Sequence, residues 1–211
     1  IEAGGKNGVI EPDQVTTDFV NSRNKHQVPY EVVRNDKDAN YIFEKVYRCK
    51  DMEPVVAKPH SPDNKANVSE VRGTRLDRAY VGSCTGGKIT DFTAAAKILK
   101  GKTVKLDTYI VPATTEIRDR LKTEKIDGIS LEKIFLDAGA KLGEPSCAAC
   151  LGGPADTFGR LNSEEVCIST TNRNYPGRMG SKKSAVYLAS PLTVAASALR
   201  GVITDPREFV R

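Results

Sequence analysis

Cys84, in Gly-Ser-Cys-Thr-Gly-Gly, and Cys147 and Cys150, in Pro-Ser-Cys-Ala-Ala-Cys-Leu-Gly-Gly, place three soft metal ligands in two small, glycine-flanked turns. A structural zinc site or an iron-sulfur electron carrier closes with four ligands, whereas a catalytic centre keeps one position open for water or substrate. Three thiols therefore point to reaction chemistry at an uncapped metal. Taken alone, C-x-x-C is also compatible with thioredoxin-like redox chemistry, half a zinc site or two packed thiols. Cys84 adds weight to metal, although only a shared loop-after-strand context joins it to the distant pair. Cys167 stands between Val166 and Ile168 and reads as core, and Cys49 follows Arg48 in a segment of undecided pattern.

A second polar constellation follows an apolar run: Ser169-Thr170-Thr171-Asn172-Arg173-Asn174-Tyr175-Pro176-Gly177-Arg178. Arg173 and Arg178 each offer a planar, permanently charged fork suited to a carboxylate, and Asn172 can hold a sulfide or a substrate oxygen without adding charge. The alternative is a solvated loop whose arginines pair with surface acids.

The elements that must position these loops are legible from about residue 67 onward, where short apolar runs alternate with amphipathic segments. Such alternation predicts parallel strands joined by crossover helices. Strands are expected at Arg78 to Ser83, Val104 to Val111, Val166 to Ile168 and Ala185 to Ala189. Helices are expected at Thr90 to Lys100 with Thr90 as N-cap, at Thr115 to Lys122, at Ser130 to Ala138, and from Ser190 and Pro191 to a stop at Gly201. Both cysteine motifs then fall where strands end and loops begin, which is where open α/β sheets bind ligands. Gly82, Gly86, Gly87, Gly152 and Gly153 would let backbone approach a bulky group.

Before residue 67 the pattern is weaker. Glu11 to Val33 reads as helical with irregular punctuation, and Val32-Val33 and Tyr41 to Tyr47 as possible strands. Lys58-Pro59-His60-Ser61-Pro62-Asp63-Asn64 reads as an extended linker, which sets a domain boundary near residue 66. The first residues, with no initiating Met and no helix-start signal, read as the interior of a longer polypeptide.

With 211 residues the chain can bury a real core, and with 39% hydrophobic residues, 6% aromatics and no Trp that core must be aliphatic. The net charge of +5 arises from 32 basic against 27 acidic residues, interspersed, which argues against a nucleic-acid partner and is compatible with a small anionic substrate. Five cysteines is an odd count, so a disulfide scaffold is not expected. No apolar run approaches the roughly 20 residues of a membrane helix, so no membrane partner is expected.

Together the motifs resemble the aconitase superfamily, and within it the branch acting on isopropylmalate. The resemblance runs from Ile1-Glu2-Ala3-Gly4-Gly5-Lys6-Asn7-Gly8 through the Lys58 to Asn64 motif and both cysteine loops to Thr170 to Arg178, ending near Tyr187-Leu188-Ala189-Ser190-Pro191. It implies an α/β fold: a three-layer α/β/α cluster-binding domain with a mainly parallel sheet at 67–211, preceded by part of a second α/β domain and a linker at 1–66. It implies that Cys84, Cys147 and Cys150 hold a 4Fe-4S cluster whose fourth iron is free to act as a Lewis acid. Asn172 would lie beside the cluster, with Arg173 and Arg178 holding the carboxylates of a hydroxy di- or tricarboxylate substrate.

The implied reaction is that of a hydro-lyase in leucine biosynthesis, converting 2-isopropylmalate to 3-isopropylmalate through a dehydrated intermediate. Homoaconitase or dimethylmalate dehydratase activity, or a non-catalytic iron-sulfur or zinc-binding domain, are the alternatives. The family also implies an N-terminal domain supplying His and Asp residues, and a small swivelling subunit supplying the catalytic serine. The 211 residues are therefore expected to be inactive alone and to expose apolar surface where those parts dock. The location implied is the cytoplasm, or the plastid stroma in a plant or alga. Gly86 departs from the pattern, standing where many members carry Asn. The region around Val46 also lacks the acidic residue that aconitase carries near its cluster.

Overall fold

The computed structural model describes residues 6–209, so Ile1 to Gly5 of the first motif lie outside the described residues. The chain divides after Met52 into two compact units. In the first, helix α1 (Gln14–Arg23) begins where the Asp13 side chain accepts from the Thr16 amide at 2.9 Å, and its C-terminal turn closes at Asn24. None of this unit's described residues is buried, and Phe19, Ile42, Phe43 and Val46 stand exposed. The strands expected at Val32-Val33 and Tyr41 to Tyr47 do not form. A strand needs a neighbouring edge to satisfy its backbone, and the unit supplies none among its described residues.

The second unit starts at Glu53 and is built on a seven-stranded sheet. Its strands are β1 (Val55–Ala57), β2 (Lys65–Asn67), β3 (Arg78–Gly82), β4 (Asp107–Val111), β7 (Lys141–Leu142), β8 (Val166–Ser169) and β9 (Ala185–Ala189); β5 (Lys125–Ile126) and β6 (Ile129–Ser130) form a separate hairpin. The order is β2-β1-β9-β8-β3-β4-β7, with β9 through β7 all parallel and β1 antiparallel to both its neighbours. This is the expected α/β architecture with a mainly parallel sheet. The expected boundary near residue 66 falls inside the β1-β2 hairpin. The Lys58 to Asn64 stretch is the hairpin's loop, closed by the Lys58 amide on the Asn64 carbonyl at 2.8 Å.

Helices α2 (Val68–Val71), α3 (Ser83–Gly86), α4 (Ile89–Leu99), α5 (Thr115–Thr123), α6 (Leu131–Asp137) and α7 (Pro191–Arg200) complete the unit. On α4 the apolar residues Phe92, Ala95, Ala96 and Leu99 recur at helical spacing and are all buried. Phe92 meets Phe135 of α6 edge to face at 5.9 Å. Helix α4 starts one residue before the expected Thr90 cap. The Asp91 carboxylate accepts from the Lys88 amide at 3.0 Å, so an acid in the first turn, rather than a hydroxyl before it, closes the end. Helix α7 begins and ends as its sequence suggests, with Ser190 accepting from the Thr193 amide, Pro191 at the first position and Gly201 left-handed at φ +81°.

The core splits across the sheet. On one face Ala79, Val81, Ile110 and Ile168 pack against α4, α6 and α7. On the other, Tyr80, Val111, Leu161, Cys167, Met179 and Val186 pack with Ala149 of the C-x-x-C loop. No helix among the described residues is long and apolar enough to cross a membrane.

Candidate functional site

Strand β3 runs straight into the Cys84 turn. Gly82 ends the strand against β4, where a Cβ would lie 2.5 Å from the Val111 carbonyl oxygen, and Ser83 then takes a left-handed φ of +66°. That reversal sets Cys84 at the start of a single helical turn, with its thiol exposed. Thr170, just past β8, ties the turn down. Its hydroxyl accepts from the Gly82 amide at 2.8 Å and donates to the Gly82 carbonyl at 3.0 Å, while the Thr85 hydroxyl donates to the Thr170 carbonyl at 2.8 Å. From below, the Lys88 ammonium donates to the carbonyls of Cys84 and Thr85 at 3.0 and 3.1 Å.

The Cys147 and Cys150 loop is a tight 3-10 turn, Ala149–Leu151, in which the Leu151 amide returns to the Cys147 carbonyl at 3.1 Å. It ends at Gly152, left-handed at φ +68°, where a Cβ would sit 2.9 Å from the Gly177 carbonyl oxygen. The C-x-x-C loop thus seats directly on the loop that carries the arginines. Arg160 braces it from the other side, its Nε donating to the Gly153 carbonyl at 2.6 Å.

These loops bring five of the six residues singled out in the sequence together. Cys84 and Cys150 both lie near enough to Cys147 to act on its thiol, and Cys150 donates toward the Asn172 Oδ1 at 3.8 Å. One Arg178 nitrogen donates toward the Cys150 sulfur at 3.8 Å, while another donates to the Tyr175 hydroxyl at 3.1 Å. Arg173 lies half-buried in the same loop. Burial pushes the Cys147 thiol up, and the neighbouring Cys150 and Cys84 push it further, against the pull of Arg178. Desolvation works against the Arg178 guanidinium, but its bonds to Tyr175 and Cys150 outweigh that and hold it charged.

The sequence motifs did not single out Thr170, Lys88, Arg160 or Tyr80 as supports of this site. Lys88, four residues after Cys84, was the one within reach of a local argument. Asn174 is a further support, donating to the carbonyls of Lys58 at 2.8 Å and Val186 at 3.0 Å, which anchors the arginine loop to the β1-β2 hairpin and to β9. A cavity of about 580 Å3 opens beside Thr171, lined by Asp63, Lys65, Leu188 and Ser190, but none of the three cysteines lines it; Cys84 and Cys147 are exposed and Cys150 is buried.

The residues present fit a cluster. The Cys147 thiol, held up by burial and by Cys150 and Cys84 beside it, would ionise more readily next to the positive charge a metal centre supplies. The Arg178 Nε is buried with no hydrogen-bond partner among the described residues. The glycines of both cysteine loops pack against the protein itself, Gly86 on Thr170 and Gly152 on the Gly177 carbonyl, so they shape the loops rather than opening room for a bulky group as the sequence suggested. No three of His, Cys, Asp and Glu among the described residues are drawn together tightly enough for a single ion. One ion at about 2.3 Å from each sulfur would pull its thiolates to within about 4 Å of one another. A multi-iron cluster anchors each thiolate at a different atom and tolerates the wider spacing.

Cys167 belongs to the core and not to this group. It is fully buried, and burial pushes its thiol from 9.0 up to about 12. Below pH 9.0 the folded and unfolded chains both keep this proton, and no stability depends on it. Above that, the unfolded chain ionises first, so stability falls by up to about 1.4 kcal/mol per pH unit until the folded thiol titrates as well. Denaturant unfolding of Cys167→Ala should therefore decline less steeply on the alkaline side than the wild type. Equal slopes would place the buried titration elsewhere.

Residues 68–201 match the model of the aconitase family (aconitate hydratase). The chain is 50% identical over 217 residues to the "3-isopropylmalate dehydratase large subunit, chloroplastic" of Arabidopsis thaliana, covering 100% of this chain and 42% of that relative. It is 47% identical over 209 residues to the "Probable methanogen homoaconitase large subunit" of Methanosarcina mazei, covering 99% of this chain and 51% of the relative. A 3-isopropylmalate dehydratase large subunit of Sulfurihydrogenibium is 43% identical over 213 residues, covering 100% of this chain and 47% of the relative. The chain spans about half the length of the curated relatives it matches.

Proposed function

The chain belongs to the aconitase family, and from that premise we propose that it forms the cluster-holding part of a hydro-lyase that interconverts 2-isopropylmalate and 3-isopropylmalate. The observation that carries this reading is the meeting of Cys84, Cys147 and Cys150 at the carboxyl ends of parallel strands, with Asn172 and Arg178 against the Cys150 sulfur.

In this reading the three thiols hold a 4Fe-4S cluster. Bound there, the cluster supplies a Lewis acid that makes hydroxide a better leaving group. Arg178 contributes a fixed positive charge where thiolates and a substrate carboxylate converge, and Arg173 takes a second carboxylate through its fork. Asn172 offers a neutral contact that orients without altering the charge balance. Leu151 and Tyr175 stand exposed at the edge of the site and form part of the apolar surface that a covering partner would use to exclude water. The substrate loses a proton and a hydroxyl as water, and water returns to the neighbouring carbon.

The names of the relatives support a separate small subunit as that partner. Turnover then needs the remaining half of the large subunit and the small subunit as well. The relative named as a homoaconitase keeps a longer hydroxy-tricarboxylate open as substrate. The Arabidopsis relative's name places that protein in the chloroplast, which supports the plastid stroma for a plant or algal source; for any other source the proposed location is the cytoplasm.

Anaerobic reconstitution with iron and sulfide tests the reading. A brown chain with equal iron and sulfide is expected, which isomerises 2-isopropylmalate only when the rest of the large subunit and a small subunit are supplied, with homoaconitate assayed in parallel. A colourless zinc form, or full reversible one-electron cycling with no isomerisation in the assembled enzyme, would overturn it.

A further inference from the structure

Tyr80 of β3 is fully buried on the site side of the sheet, with its ring held between two glycines. A Cβ on Gly82 would lie 3.1 Å from one ring edge and a Cβ on Gly159 would lie 2.9 Å from the other. Gly82 is also the last residue before the Ser83-Cys84 reversal, so the ring leans toward the end of β3 where the thiols gather. The hydroxyl has no hydrogen-bond partner among the described residues. A buried hydroxyl left unpaired is destabilising, and a phenylalanine would fill the same slot without that cost.

The groups around the hydroxyl say what completes it. Ala149, between the two C-x-x-C cysteines, packs with Tyr80 in the same apolar cluster. A phenol keeps its proton at neutral pH and so is available as a donor, and Cys150, Cys147 and Cys167 are the ionisable groups near it. Cys167 is a less suitable acceptor, because its own thiol stays protonated and points to the Ile168 carbonyl. Of the three site sulfurs, that of Cys150 is the buried one and follows directly on Ala149.

We propose that the Tyr80 hydroxyl donates a hydrogen bond to sulfur at the Cys150 corner of the site and thereby sets the electron affinity of the cluster held there. The inference rests on the cluster reading above. A donor facing sulfur withdraws charge from it, which favours the reduced cluster and raises its potential. Tyr80 is thus a positioning and tuning residue, acting through Cys150 and not on substrate.

The test is Tyr80→Phe in the full chain, reconstituted anaerobically, with Tyr109→Phe as the control. The Tyr109 hydroxyl reaches Asp107 at 3.4 Å at an exposed edge. Redox titration followed by visible absorption should show the Tyr80→Phe midpoint shifted to more negative potential and its colour bleaching faster in air, with Tyr109→Phe at the wild-type value. An unchanged potential would overturn the proposal and assign the hydroxyl to buried water. So would a variant that no longer folds by circular dichroism, because the hydroxyl would then belong to the fold's own bonding. A folded variant that cannot retain the cluster supports the donor role. If the wild type itself takes up no cluster, this proposal and the cluster reading fall together; if it loads normally and only the shift is missing, the cluster reading stands.

Discussion

Serine in place of Cys147 should leave the chain colourless after anaerobic reconstitution and lower isomerase activity of the assembled enzyme by more than about 100-fold. Removing an outer partner of a metal ligand typically costs about 10–100-fold, and a ligand is worth more than its support. A serine hydroxyl stays protonated at neutral pH and does not replace a thiolate on iron. Cys147 is exposed, so the fold should barely register the change, within about 0.5 kcal/mol. Cys150→Ser should fail in the same way but is a less clean variant, because its sulfur is buried between Asn172 and Arg178. Cys167→Ser should keep its colour. Full absorbance and iron content in Cys147→Ser would remove the metal reading at its root.

Gly86→Ala should be the most destructive small change near the site, costing about 3–5 kcal/mol in denaturant unfolding. A Cβ there would lie 2.2 Å from the Thr170 Cβ and 2.3 Å from its hydroxyl oxygen. Gly86 does not have a left-handed φ, so the demand for glycine is one of space alone. Thr170 cannot step aside cheaply, because it is buried and its hydroxyl both accepts from and donates to Gly82. Overpacking costs about 1–3 kcal/mol, and each buried polar group left unpaired about 1–3 more. Gly101→Ala is the control. It is left-handed at φ +70° with nothing within 4 Å, so only the conformational cost of about 1 kcal/mol applies. If the two variants lose the same stability, the contact with Thr170 does not constrain the turn.

What could be read in the sequence was what local physics determines. Strands β3 and β8 are short apolar runs buried on both faces, and α6 and α7 announce their ends through Ser130, Ser190 and Gly201. The β1-β2 hairpin was hidden because its strands are three residues each and β2 is Lys-Ala-Asn, with one buried side chain and no apolar run. The two prolines in its loop looked like a linker for the same reason they suit a hairpin, since both need extended backbone and a turn. At the site, the cysteines and the arginine loop could be named from residue type and context, but the contacts that join them could not. Thr170 reaches Gly82, Arg160 reaches Gly153 and Tyr80 slots beside Gly159 only after the sheet forms, and no spacing along the chain encodes those meetings.

The seat that Gly152 makes against the carbonyls of Gly177 and Arg178 has a bearing on how such a site is inherited and rebuilt. Each loop is the mould in which the other is cast, so a lengthening of one spoils the shape of both. A designer moving the paired cysteines into a new scaffold would have to transplant the arginine-bearing stretch with them, and lineages that drift in either stretch should drift in step.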